Sequence, residues 1–298
     1  MAQKKSKKPM RSKSKEDIST AKAFFYVSIF FVLLIVTVFS LHYRHGLQLY
    51  ICANYGKFCN NFLTDQVDSS TCSLIERGKV TTFNIRNLEL IEQHVGTHIF
   101  GVDVSEYQGN VNWESVYCVE NSVKIDFIII RATAGIDKVD DKFKDNWKEV
   151  KKANVIRGAY HYYRPDEDPI DQAQNFIKHV QLAPKDLPPI LDVEKSPKNL
   201  SKDEFIKNIQ TWIDLVTKHY KVKPILYSGQ NFHENYLSEH FPEYILWIAN
   251  YNFFTETMQP HWHFWQFTEK GYVAGIKGNV DVNMFRGSVD DLKQLTIK

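Results

Sequence analysis

Eight short apolar runs in the last two thirds of the chain constrain its fold more than any other feature. They are IFGVDVS (99–105), DFIIIRATAG (126–135), IRGAYHYY (156–163), PPILDVE (188–194), KPILYSG (223–229), YILWIANY (244–251), HFWQF (263–267) and NVDVNMF (279–285). Their Ile, Val, Tyr and Phe content and their length read as strands. Several are separated by amphipathic stretches. DDKFKDNWKEVKKAN places Phe143, Trp147 and Val150 at helical spacing, and DPIDQAQNFIKHV does the same with Ile170, Ala173, Phe176, Ile177 and Val180. SKDEFIKNIQTWIDLVTKHY opens on Ser201 with Glu204 three residues later, a capping box. Strands alternating with helices predict a parallel sheet, and this many strands predict a closed α/β barrel in which some connections are too short for a helix.

Upstream of the barrel the chain changes character. The net charge of +2 is uneven: residues 1–22 carry seven Lys and one Arg against Glu16 and Asp17, which is +6 and leaves −4 for the rest. The basic residues form a tail and not a face on a fold, so nucleic acid is not an expected partner. AFFYVSIFFVLLIVTVFSL, residues 23–41, holds no charge and matches the length of a membrane-spanning helix. Lys and Arg in front of it place the N-terminus in the cytoplasm and the rest outside, periplasmic or extracellular. An uncleaved anchor is favoured over a signal peptide, whose basic and apolar regions would be shorter and whose small-residue cleavage site is missing. Residues 42–98 read as a polar stalk or small cap. The four cysteines, Cys52, Cys59, Cys72 and Cys118, all follow the span, where disulfides are permitted, and allow three pairings.

Chemistry-bearing residues recur at the ends of the apolar runs: Asp103, Arg131, Tyr160, Tyr162, Asp192 with Glu194, Tyr227, Trp247 with Tyr251, Gln266, and Asp281. In a β/α barrel the C-terminal strand ends build the active site. Side chains alternate along a strand, so Asp192 and Glu194 share a face, about 6–7 Å apart. Two carboxylates in a partly apolar site tend to retain a proton between them, and glycosidic cleavage needs such an acid beside a second carboxylate. Asp103 and Asp281 come from the first and last strands, which become neighbours when a barrel closes. Alone, D-x-E could cap a helix or pair with Lys195. Four acids could also hold Mg or Ca, but no His joins them at ligand spacing, and no metal is expected. No G-x-G-x-x-G or P-loop lysine motif occurs, so no nucleotide cofactor is expected. Arg131 reads as an ion-pair partner tuning one of the aspartates, His161 as a wall residue, and the two His of HWHFW (261–265) as exposed positions on an aromatic strand.

The chain from Ile99 to about Val289 resembles the glycoside hydrolase family 25 lysozymes, the Chalaropsis-type N-acetylmuramidases. GVDVSEYQGNVNW, FIIIRATAG, RGAYHYYRP, PPILDVE, PILYSGQNF, LWIANY, FWQF and NVDVNMF carry the resemblance, in the family's order. It implies an irregular TIM-like β/α barrel over 99–298 with eight strands and fewer than eight helices; the apolar span read above precedes it as one transmembrane helix. It implies hydrolysis of the β-1,4 bond between N-acetylmuramic acid and N-acetylglucosamine in peptidoglycan glycan strands. Glu194 then matches the general acid, and Asp192 the partner carboxylate that stabilises the oxocarbenium ion or orients the substrate N-acetyl group. Asp103 and Asp281 match the remaining acids. Tyr162, Tyr227, Trp247, Tyr251 and Gln266 fall where the family lines its saccharide groove, with sugar faces expected to stack on Trp247 and the tyrosines. Ala134 stands where the family often has Glu, which removes a polar contact near the rim. A monomer is assumed. The alternative from another class is a non-catalytic saccharide-binding protein on the same fold, against which four desolvated carboxylates argue.

Overall fold

The computed structural model describes residues 15–43, 47, 86, 90, 96–120, 123–153, 155–255 and 257–298. Within them, all eight apolar runs become strands of one closed barrel: β1 (His98–Val104), β2 (Val123–Ala134), β3 (Ile156–Tyr162), β4 (Ile190–Asp192), β5 (Ile225–Gly229), β6 (Leu246–Ala249), β7 (Phe264–Gly271) and β8 (Val280–Arg286). Strands β1 to β7 run parallel, each beside the next. β8 is antiparallel to both β7 and β1 and closes the ring. The wholly parallel sheet expected from the strand–helix alternation therefore fails at the last strand. Residues 272–279 are fewer than the dozen or more that a parallel crossover needs, so the chain turns back as a hairpin.

Among the described residues the helices are fewer than the strands: α1 (Lys15–His42), α2 (Phe143–Lys152), α3 (Pro169–His179), α4 (Lys202–Tyr220), the short α5 (Gln230–Phe232) running into a π turn, and α6 (Val289–Leu295). α4 begins with the predicted box: Ser201 accepts from Glu204 N–H, while the Glu204 carboxylate accepts from Ser201 N–H at 3.0 Å. Such a cap contributes about 1 kcal/mol. Among the described residues no helix joins β6 to β7.

Strand alternation sorts the apolar side chains into two layers. Phe127, Ile129, Ile190, Ile225 and Phe264 fill the barrel interior. Their neighbours Ile128, Ile130, Leu191, Val193 and Leu226 point outward and pack with Phe176, Phe205, Ile209 and Trp212 of the surrounding helices. Each such buried side chain stabilises the fold by roughly 1.5–3 kcal/mol. The interior is tight: at Gly101 a β-carbon would lie 2.4 Å from the Phe127 ring, so only glycine fits there.

Phe24–His42 of α1 is apolar and unburied, long enough to cross a membrane by length and composition. Beyond its end, Cys118 is disulfide-bonded. The pairing among Cys52, Cys59 and Cys72, and the predicted stalk over 42–98 apart from positions 42, 43, 47, 86, 90 and 96–98, lie outside the described residues.

Candidate active site at the barrel mouth

The parity that fills the interior also builds the mouth. Ile99, Ile129, Ile156, Ile190 and Ile225 point inward. Steps of two or four residues along the same strands reach Asp103, Arg131, Tyr160, Asp192 and Tyr227 on the same side. Pairing aligns the site laterally: Tyr162 stands opposite Asp192, Asp192 opposite Tyr227, and Tyr227 opposite Trp247. Gln266 stands opposite Asn283, and Asp103 opposite Asp281. Asp281 reaches the mouth for a different reason from the rest. It sits at the start of its strand, and the reversal of β8 brings that N-terminal end up beside the C-terminal end of β1.

Asp103 is 4% exposed. Its Oδ2 accepts hydrogen bonds from Gln266 Nε2 at 2.7 Å and Asn283 Nδ2 at 2.8 Å. Both amides are held in that orientation from behind. Gln266 Oε1 accepts from the Tyr227 hydroxyl at 2.7 Å and from the Tyr251 hydroxyl, and Asn283 Oδ1 accepts from Trp247 Nε1 at 2.7 Å. Asp103 and Asp281 hydrogen-bond each other. Burial, then the Asp103 charge and then Glu269, push Asp281 up to about 9. Burial also raises Asp103, to about 6, against the opposing pull of its two amide donors. The pair therefore holds a shared proton at neutral pH, with Asp281 its main holder.

Asp192 is 5% exposed, and its Oδ1 has no hydrogen-bond partner among the described residues. Burial drives its pKa well above the usual carboxylate range; Glu194 and Asp103 add to this, while Arg131 and Lys195 oppose it. Two residues on, past the end of the ladder, Glu194 reaches the exposed rim. Val193 between them faces the outer layer, and its amide donates to the Tyr227 carbonyl at 3.0 Å. The protein crowded around the Glu194 carboxyl raises its pKa, and the Tyr227 hydroxyl and Lys195 partly offset that.

Several residues stand differently from the expectation. Trp247 is 2% exposed and Tyr227 is also buried, so their rings form the floor beneath the acids and offer no free face to a sugar. Ring surface is available instead at Tyr251, 42% exposed, and at the half-buried Tyr160 and Tyr162. Arg131 pairs with Glu106 at 3.0 Å and Asp140 at 2.9 Å, and not with any of the four acids. Its charge still lowers Asp192. His161 has outward parity. It is fully buried against Trp212, bonded to Thr133 and Gln172, and burial depresses its pKa to about 3, so it is neutral. His263 is exposed and bonded to the Leu246 amide, a strand-edge position.

Three residues of the mouth went unread in the sequence. Asn283 links Trp247 to Asp103, Glu269 lies close enough to raise Asp281, and Tyr107 exposes a ring whose other face carries the Arg131 guanidinium at 4.7 Å. Parity with Asp281 was the available signal for Asn283. Among the described residues no three His, Cys, Asp or Glu side chains are grouped as metal ligands.

Comparison with known proteins points to one family. The model of the family described as glycosyl hydrolases family 25 matches residues 102–276. The Escherichia coli (strain K12) protein YegX is 38% identical, covering 65% of this chain and 72% of its own. Lysozyme M1 of Streptomyces globisporus is 32% identical, covering 65% of this chain and 70% of its own. The crystal structure of the lysozyme from Streptomyces coelicolor superposes with a TM-score of 0.61 at 29% identity, over 68% of this chain and 98% of that one.

Proposed function

The chain belongs to glycosyl hydrolase family 25 and is a glycoside hydrolase of the lysozyme and muramidase group, and from that premise we propose that it cleaves the β-1,4 bond between N-acetylmuramic acid and N-acetylglucosamine with Glu194 as general acid. The observation that carries this reading is the contrast within the acid cluster: one carboxyl at the open rim, and beneath it two buried ones, Asp103 and Asp192, with Asp281 half-buried beside them. Glu194, exposed and with a raised pKa, holds its proton more firmly than an ordinary glutamate and can reach a glycosidic oxygen from the rim. As it gives up that proton, positive charge grows at the sugar carbon. Asp103, fixed by two amides, presents negative charge from below in a site of low dielectric.

Asp192 has a separate role. A buried carboxyl oxygen without a protein donor is costly, and a substrate N–H would relieve it. The acetamido N–H of the bound sugar fits that need, and bonding it to Asp192 turns the acetamido carbonyl toward the anomeric carbon. Asp281 keeps its proton and supports Asp103. Tyr251, Tyr160 and Tyr162 offer the ring surface that lines the glycan path, and α1 holds the barrel to the membrane with its mouth outside the cytoplasm.

The test uses the full chain in detergent micelles beside Glu194→Gln, each incubated with purified peptidoglycan. Fragments are reduced with borohydride and identified by mass spectrometry. Reduced muramic acid ends from the parent alone are expected. Reduced glucosamine ends would move the cut to the other bond. Equal release by both proteins would remove Glu194 as the acid.

A further inference from the structure

Arg86 lies outside the segment that matches the family and is buried against the barrel. It is 3% exposed. Its Nη1 donates to the Asn252 carbonyl at 2.8 Å, and its Nη2 contacts the Thr255 carbonyl at 3.4 Å. The guanidinium lies 5.3 Å from the Trp265 ring and 5.5 Å from the Phe253 ring. Its Nε has no partner among the described residues. Leu90, four residues on, is buried in the outer layer of the core. Burying a guanidinium costs free energy unless polar atoms and ring faces receive it. Here they are two backbone carbonyls of one loop and the aromatic rings beside it.

That loop, residues 250–255, joins β6 to the long connection before β7 and forms the rim of the mouth. Its near end is fixed to the barrel: Trp265 Nε1 donates to the Asn250 carbonyl at 2.9 Å, and the Asn250 amide donates to the Gln266 carbonyl at 3.0 Å. Beyond Tyr251, the loop is held by Arg86 and by the Asn250 side chain, whose Oδ1 accepts from the Asn252 amide at 2.8 Å and whose Nδ2 donates to Thr255 Oγ1 at 3.0 Å. On the outer side Phe254 meets Tyr43 and Phe39 at the end of α1, with ring centroids 5.4 and 6.3 Å apart. Tyr251 lies between the two holds, its ring exposed and its hydroxyl on Gln266, one hydrogen bond from Asp103.

We infer that Arg86 is a positioning residue for the saccharide groove: from the chain between α1 and the barrel, it clamps the 250–255 loop and so keeps Tyr251 on the groove wall. The inference rests on the glycan-cleaving function proposed above. One wall of the groove thereby depends on chain that the family-matched segment does not contain.

The experiment is a double-mutant cycle on the full chain in detergent micelles, with solubilised glycan strands as substrate and hydrogen exchange of residues 250–257 measured in parallel. Arg86→Met keeps the apolar stem and removes both donors. It is expected to raise KM about fivefold, leave kcat within about twofold and speed exchange in the loop. Tyr251→Ala alone is expected to raise KM about tenfold, and adding Arg86→Met to it is expected to change nothing further, because the two act through one contact. Arg86→Lys, which can reach one carbonyl but not both, is expected to fall between parent and Arg86→Met. If Arg86→Met fails to fold, the cycle with Arg86→Lys carries the same comparison. An unchanged KM, factors that multiply in the double variant, or unchanged loop exchange would overturn the clamp. A parent that cleaves no glycan would overturn the function, and loop exchange would still decide the clamp.

Discussion

The floor and the mouth of this barrel are made from the same strands, and they differ by one or two steps of strand alternation. At Ile129, Ile190 and Ile225 the interior is filled by carbon and contributes stability. Two residues further on, at the half-buried Arg131 and the buried Asp192, the same face carries charge, withdrawn from water at a cost. The floor keeps water out from below, which is what makes the carboxylates above it strong. The mouth spends part of the stability that the floor supplies, because carboxyls crowded together in low dielectric raise one another's pKa. Stability and chemistry should therefore separate cleanly along each strand.

Four substitutions test that separation. The largest effect is expected from Glu194→Gln, a loss of about 10³-fold in kcat, or about 4 kcal/mol of transition-state stabilisation. Its thermal midpoint should equal or exceed the parent's, and a large fall in that midpoint would break the comparison at the rim. Next is Ile129→Ala on the floor, expected to lower unfolding free energy by about 3 kcal/mol in a urea titration. The folded variant's kcat should stay within about twofold of the parent's.

Asp281→Asn combines both regions. Because the native pKa of Asp281 is raised to about 9, the folded protein keeps a proton that the unfolded chain, with an aspartate pKa of about 3.9, releases. That contribution is fully present below about pH 4 and declines as pH rises toward about 9. The asparagine variant should therefore match the parent near pH 4 and exceed it by on the order of 2 kcal/mol at pH 8, measured by thermal unfolding across pH. A parent whose stability is flat from pH 4 to pH 8 would refute the shared proton. The smallest effect is expected from Tyr251→Phe, which removes one hydroxyl from Gln266. KM should rise about threefold, or about 0.7 kcal/mol, in a steady-state assay, with stability unchanged.

Much of this was legible because the information is local. Alternation over a few residues separates Ile190 and Asp192 from Leu191 and Val193, and a capping box is a four-residue pattern. The less legible parts depend on which strand lies beside which. Trp247 follows the same parity as the acids, which is why it read as a groove residue. Whether its ring meets solvent depends on depth in the barrel and on Tyr227 and Asn283 from neighbouring strands, and it is buried with its N–H on Asn283. Arg131 stands at the mouth as expected, although its strand runs on to Ala134, but its partners Glu106 and Asp140 come from turns whose approach no strand pattern specifies. Arg86 sits in a stretch without strand or helix periodicity strong enough to single it out.

The sequence by itself determined the eight strands, the face each side chain takes, the acid set and the apolar span, because periodicity and hydrophobic length are properties of neighbouring residues. Only the tertiary structure decided that β8 runs backward and delivers Asp281 beside Asp103, that Trp247 is floor and not wall, and that Arg86 reaches the loop of Tyr251. Each of these depends on ring closure and on contacts between residues far apart in the chain, where side-chain depth and partner are set by the packing of the whole barrel.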